Sequence, residues 1–418
     1  MDNGNAKEFD NYVSLKGELN FVYKDIKLNR VIAGSIWAAA NGKNSWKQWI
    51  RQAALFLRCY DLSSIVLDKW LFSTYGLYNR KDHQELYYNV ITKLGDNVRS
   101  TNALHWSQKF VLHPFTIYKA LRFFFSKSSL NFSSRIGLAA QATFYCNLID
   151  ELDKLDFSKV KKYLCMANML NVENLITQYM KCKNIPTFSL SEGVYFVFKK
   201  KQPFDATQYE NFETDHLLVY GQYSKDEFVG YGISPDRLVV AGYPKKVETK
   251  PMKKDNPYKK CMVLMCRHAY HHSNMALMSI LSNYTSEYHI CLKLHPGDDF
   301  DFYNKYVKEH NMDIIPKALT VNECLNNKDY DFAIAVNTTA YYEALMRGLP
   351  CLRFADGTFD IMHGYDDVFS DETSFESKLK SIAMLDSSEY QKEVDYTLRY
   401  AMGVGIDNYK AILVDNKI

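Results

Sequence analysis

Proline is scarce, ten residues in 418, and with 47% of the residues hydrophobic this excludes a disordered or linker-dominated protein. The nine cysteines are odd in number and contain no CxxC spacing, so neither a disulfide framework nor a zinc site is expected; they read as reduced, buried thiols. No run of about eighteen apolar residues exists to span a bilayer. Met1 to Asp10 is polar and acidic, unlike a secretory signal, so the expected location is cytoplasmic. A net charge of +3 is too small to imply nucleic acid, and the 31 Tyr and 25 Phe form no basic-aromatic repeat, so no nucleic-acid partner is expected. Internal repeats and low-complexity tracts are missing too. One segment, Thr116 to Lys127, mixes bulky aromatics with Lys119, Arg122 and Lys127. It leaves two readings open: peripheral contact with the inner face of the membrane, or a buried helix whose basic tips reach solvent.

What is present is a long rhythm of strand and helix. The chain is long enough for two domains with a core each. Apolar runs at Val31–Gly34, Leu62–Leu67, Tyr163–Ala167, Ile185–Leu190, Leu217–Gly221 and Leu238–Pro244 read as strands. Ser45–Leu57, Asp150–Lys159, Glu173–Lys183 and Ser224–Tyr231 read as helices between them. Lys245–Lys260 is charged, holds Pro251 and Pro257, and lacks apolar periodicity, which marks an interdomain linker. Cys261–Cys266, Cys291–Leu294 and Phe332–Val336 continue the strand pattern beyond it. Strand, helix and strand in this order predict an α/β protein of two Rossmann-like domains facing a cleft. The expected units are residues 1–246, which take the acceptor, a linker at 247–258, and residues 259–418, which bind the nucleotide.

Two stretches carry the chemistry. Cys291 to Pro296 and Ala335 to Leu345 each run from an apolar strand into polar groups at its carboxyl end, where open α/β sheets bind ligands. His295 can donate hydrogen bonds, and Pro296 stiffens the turn after it. Thr338 and Thr339 offer hydroxyls where a helix begins, as N-caps or as phosphate contacts. Lys293, Arg267 and His268 add positive charge, with Asn337 and Glu343 supporting the motif. In the first unit Glu192 follows a strand directly and precedes Gly193, which suits a general base approached closely by substrate. His268, His271 and His272 lack a carboxylate or cysteine cluster beside them, so no metal is expected. Asp329-Tyr330-Asp331 precedes its strand and reads as a turn into it.

This order of features resembles the GT-B glycosyltransferases, especially the bacterial sialyltransferase superfamily, with similarity to Kdo transferases and teichoic-acid CDP-glycerol transferases. Those families carry an acid-acid-Gly motif, a His-Pro motif and a later Ser/Thr motif. Here these look like Ser191-Glu192-Gly193, His295-Pro296 and Thr338-Thr339, and the resemblance spans about residues 160–370. It implies an inverting, metal-independent glycosyltransferase without a cofactor, whose last helices, Ser387 to Leu413, pack back on the first unit. Glu192 would be its base, and His295, Thr338 and Thr339 would hold the phosphate of a CMP-linked donor carrying sialic acid or Kdo. The acceptor would be a surface glycan, capsule or glycolipid. Ser191 in place of the first acid departs from the sialyltransferase pattern and leaves CDP-alditol or UDP-sugar donors, or a non-catalytic sugar-nucleotide-binding protein, as alternatives.

Overall fold

The computed structural model describes residues 6–76, 79–251, 258–326 and 330–415. The first part of the chain forms α1 (Ala6–Glu18), β1 (Val22–Tyr23), β2 (Ile26–Lys27), α2 (Leu28–Val31), α3 (Ala33–Ala40), α4 (Trp46–Arg51), β3 (Arg58–Tyr60) and β4 (Leu71–Tyr75). It continues with α5 (Lys81–Leu94), β5 (Val98–Asn102), β6 (Gln108–Phe110), α6 (Pro114–Phe125), α7 (Phe132–Leu152), β7 (Lys162–Cys165) and α8 (Asn171–Cys182). Then come β8 (Thr187–Leu190), α9 (Thr207–Glu210), β9 (His216–Val219), α10 (Gln222–Tyr231) and β10 (Leu238–Val240). Beyond residue 258 lie β11 (Lys260–Leu264), α11 (His271–Leu281), β12 (His289–Lys293), α12 (Phe300–Glu309), β13 (Asp313–Ile314), α13 (Val321–Asn326), β14 (Phe332–Ala335) and α14 (Ala340–Met346). The chain ends through β15 (Cys351–Phe354), β16 (Val368–Phe369), α15 (Glu372–Met384), α16 (Ser387–Met402) and α17 (Asn408–Leu413). Of the proposed linker 247–258, residues 252–257 lie outside the described residues, as does Asp329 of the Asp-X-Asp triplet.

Two six-stranded sheets organise these elements, in the orders β5-β4-β7-β8-β9-β10 and β13-β12-β11-β14-β15-β16. Every neighbouring pair within them is parallel. Parallel strands need crossover helices, which cover both faces, so β8 and β14 are buried at every position. The strand order reverses between β4 and β7 and again between β11 and β14, and a crevice opens at the carboxyl ends where it does. The architecture is two Rossmann-like α/β domains across a cleft.

Several local expectations are corrected. Val31–Gly34 is helical, straddling α2 and α3. Leu28, Val31, Ile32 and Ile36 are all buried at helical spacing, and a short apolar run does not separate the two periods. Leu62–Leu67 is no strand; Val66 is exposed, and the Ile65 amide donates to the Leu62 carbonyl in a turn. The strand of that region is β4, masked in the sequence by Ser73 and Thr74. Their hydroxyls are buried but satisfied: Ser73 bonds Tyr87 and the Leu164 carbonyl, and Thr74 bonds Tyr163. Asp150–Lys159 is only the tail of α7, which starts eighteen residues earlier, capped where the Asn131 side chain accepts from the Ser134 amide, and stops at Leu152. His271 and His272 stand in the first turn of α11.

The C-terminal segment closes over the first sheet. The Tyr243 amide donates to the Met402 carbonyl at 2.8 Å, and the Tyr409 hydroxyl to the Gly242 carbonyl at 2.7 Å. Gly221 permits this approach, since a Cβ there would sit 2.1 Å from the Tyr400 carbonyl oxygen. Gly221→Ala should therefore lower unfolding free energy by about 1–3 kcal/mol. Gly230→Ala, within α10 and with nothing inside 4 Å, should raise it by about 0.5–1 kcal/mol. Urea denaturation of both variants checks the pair, and equal effects would refute the docking role of Gly221.

Candidate functional site

Five loops from strand carboxyl ends meet in the cleft. From the first domain come the segment after β4, with Arg80, Asp82 and His83, and the segment after β8, with Glu192 and Gly193. The second domain supplies Arg267 after β11, Lys293 and His295 at the end of β12, and Asn337 to Thr339 after β14. Contacts across the cleft bring them together. The Val194 amide donates to Thr339 Oγ1 at 3.2 Å, Arg267 pairs with Asp205 at 2.5 Å, and Arg80 Nη1 lies 3.3 Å from His295 Nε2. Gly193 faces the same hydroxyl; a Cβ there would stand 3.1 Å from Thr339 Oγ1.

Glu192 is only 13% exposed. Gln208 Nε2 donates to its Oε1 at 3.3 Å, and His83 Nδ1 lies 3.7 Å from Oε2. Burial pushes its pKa up to about 7, the Asp205 carboxylate adds to the rise, and Arg80, Gln208 and Arg267 oppose it. The histidines move the other way. Burial, with Arg80 next, holds both His83 and His295 down at about 4, so each imidazole is neutral at physiological pH. Glu173, fully buried on α8 behind this loop, accepts from the Met166 amide at 3.0 Å and is raised by burial.

The tautomer of His295 follows from its neighbours. The Gly297 amide donates to Nδ1 at 3.1 Å, so the single proton of the neutral ring sits on Nε2. That proton faces the Arg80 guanidinium. Arg80 is itself held by Asp82, Nε to Oδ1 at 3.1 Å. Lys293 is buried beneath them, with its pKa lowered by desolvation.

The other sequence-predicted residues take structural positions around this centre. Pro296 is exposed at the turn, and Thr338 Oγ1 accepts from the Ala340 amide at 3.3 Å, with no side-chain cap from Thr339. Asn337 sits at a φ of +40°, anchored by its Nδ2 donating to the Asp360 carbonyl (2.6 Å) and the Met362 amide donating to its Oδ1 (3.1 Å). Glu343 accepts from the Tyr243 hydroxyl at 2.5 Å and so ties α14 to the first domain. His268 lies in a short 3₁₀ turn, His268–Tyr270; its side chain is outside the described residues. Asp331 accepts from the Lys259 and Lys260 amides at 2.9 and 2.8 Å, at the turn into β14. Arg80, Asp82, His83, Asp205 and Gln208 escaped the sequence reading. For Arg80, Asp82 and His83 the signal was a charged cluster leading into α5, which becomes meaningful once β4 is recognised before it.

One group with the spacing of metal ligands lies away from the cleft. His289, Cys291 and Asp313 place their ligand atoms within 4.8 Å of one another on β12 and β13. A cavity of about 300 Å³ adjoins them.

No protein-family profile matches the chain, and no curated protein matches its sequence. Solved structures do match. The S. aureus MnaA–UDP co-structure is 12% identical over 84% of this chain and 96% of that one, with a TM-score of 0.51. UDP-GlcNAc 2-epimerase from Neisseria meningitidis bound to UDP-GlcNAc is 13% identical, covering 83% and 98%, at 0.48. The lipopolysaccharide outer core galactosyltransferase WaaB, in its apo form, is 11% identical, covering 83% and 99%, at 0.49. At such identity the likeness is one of fold, the GT-B arrangement of two Rossmann-like domains. It does not single out the sialyltransferase, Kdo-transferase and CDP-glycerol-transferase group that the motifs resemble.

His295 should titrate with a midpoint near pH 4 in an ¹⁵N NMR experiment, with Nδ1 unprotonated at neutral pH. Arg80→Ala should move the midpoint up toward the ordinary imidazole value of about 6.5. A wild-type midpoint already near that value would overturn the pairing.

Proposed function

We propose that the protein is a GT-B glycosyltransferase that moves a sugar from a nucleotide-activated donor to a glycan or glycolipid hydroxyl. The observation that carries the reading is the meeting of Arg80 and the protonated Nε2 of His295 from opposite domains, 3.3 Å apart. Two donors that converge without an acceptor call for one within reach of both, and a phosphate oxygen of a nucleotide sugar supplies it with the right charge. Lys293 and Arg267 add to the positive field, and the hydroxyls of Thr338 and Thr339 lie at the start of α14.

In this mechanism the Glu192 carboxylate takes the proton of the acceptor hydroxyl. The freed oxygen lone pair attacks the anomeric carbon while the bond to the phosphate oxygen breaks, and a single displacement inverts the centre. The phosphate leaves with its charge received by Arg80 and His295. Protein groups thus supply the base and the charge stabilisation, with no metal or cofactor assigned. A CMP-linked donor is the first choice, on the resemblance of the motifs. UDP is the second, favoured by the UDP in S. aureus MnaA, whose fold this chain shares.

The acid limb of kcat/KM should have a midpoint near pH 7, because Glu192 must lose its proton to act as a base and both histidines are already neutral there. Glu192→Gln should cut turnover by at least about a hundredfold while nucleotide affinity stays unchanged. Full activity in that variant would refute Glu192 as the base, whereas nucleotide binding without turnover in the wild-type protein would leave a sugar-nucleotide-binding protein as the better reading. Thermal shift against CMP, CDP, UDP, GDP and ADP identifies the donor. A nucleotide at about a hundred times its Kd should stabilise by about 2.7 kcal/mol, and Arg80→Ala should weaken that binding by about 1.5–3 kcal/mol. Stabilisation by none of the five would refute the phosphate site.

A further inference from the structure

Residues 26–60 and 97–149 contain no Asp or Glu, yet carry twelve Lys and Arg. In a chain with 48 acidic residues, two such stretches stand out. The fold joins them into one surface. β3 pairs with β6, and α4 follows α7, with Trp49 against Gly137 and Gln52 bonded to Gln141. α6 lies antiparallel to α7, its start near Asn147 and its end near Phe132.

The helix α6 has two distinct stripes. Thr116, Ala120 and Phe124 are buried against α7, while Phe115, Tyr118, Lys119, Arg122 and Phe125 share the opposite, exposed side. Phe110, Leu112, Trp46 and Phe132 extend the exposed side, at 71%, 55%, 64% and 65% exposure. Ten of the 21 large hydrophobic residues exposed among the described residues fall in these two stretches, about a fifth of the chain, which argues against chance scatter. Basic groups lie over the rings: Lys47 over Trp46, Lys119 over Phe115, Lys127 over Phe123 and Arg135 over Phe125. Among the described residues none of these four, nor Arg51 or Arg122, pairs with a carboxylate, whereas Arg30, Lys43, Arg99 and Lys109 of the two stretches pair with acids outside them.

We propose that this basic, aromatic face docks the protein on an anionic lipid bilayer, aromatic side chains entering the interface and Lys and Arg meeting lipid phosphates. Charge complementarity selects this occupant. Interfacial binding combines an aromatic stripe with a basic rim, whereas a protein partner of ordinary composition would leave unpaired cations at the rim. No helix among the described residues is long and apolar enough to cross the membrane, so the contact is peripheral. The surface is independent of the cleft chemistry and stands whether the donor is CMP- or UDP-linked.

Vesicle co-sedimentation of the full chain tests the proposal, with phosphatidylcholine alone and with about a third phosphatidylglycerol. Expected is binding to the anionic vesicles only, weakened at least about tenfold by K119E/R122E and by F115S/Y118S. All four side chains are exposed, so an unchanged melting temperature in each variant is the control for folding. No sedimentation with anionic vesicles would overturn the proposal. So would binding that F115S/Y118S leaves intact and heparin competes away, which would mark a general polyanion surface.

Discussion

A parallel sheet delivers all its strand ends, and the loops that follow them, to one edge, and the two sheets of this protein turn that edge toward each other. Everything in the cleft depends on this. Arg80 and Glu192 come from strands two positions apart in one sheet, and His295, Arg267 and Thr339 from three adjacent strands of the other. Neither domain assembles the centre alone. The Val194 amide on Thr339 and the Tyr243 hydroxyl on Glu343 fix the separation at which the two edges stand.

That separation sets the electrostatics. A buried carboxyl and two buried imidazoles share one water-poor space with a guanidinium from each domain. Burial drives the acid toward its neutral form and the bases toward theirs, so Glu192 and the histidines shift in opposite directions and all lose charge. The positive charge is left to the Arg80 and Arg267 guanidinium groups. A centre arranged in this way concentrates cationic field while keeping one group able to accept a proton near neutrality.

The sequence was readable where strands are wholly apolar and their loops carry charge. Thr187–Leu190 before Glu192, His289–Lys293 before His295 and Phe332–Ala335 before Asn337 are such places, and there both strand and site residue were found. It was misread where burial hides polarity or periodicity. Ser73 and Thr74 sit at the heart of β4 because buried tyrosines bond them, a fact set by partners remote in sequence. Missing β4 meant missing Arg80 and His83, since their meaning comes only from standing at its end. Likewise the apolar run Val31–Gly34 straddles the junction of α2 and α3, too short to display the helical period. The tail of α7 was seen without its first eighteen residues, because a helix buried on nearly every side lacks an amphipathic stripe.

The docking of Tyr409 on Gly242 and of Met402 on Tyr243 has a consequence for biosynthesis. These contacts lie at the edge of the first domain, yet their partners follow the whole second sheet in the chain. During translation the first domain emerges with the groove beside Gly221 uncovered, and it stays so while the whole second sheet is synthesised and folds. Completion of the first domain is thus deferred until the second exists, which couples the two into one cooperative assembly rather than two modules that mature in turn.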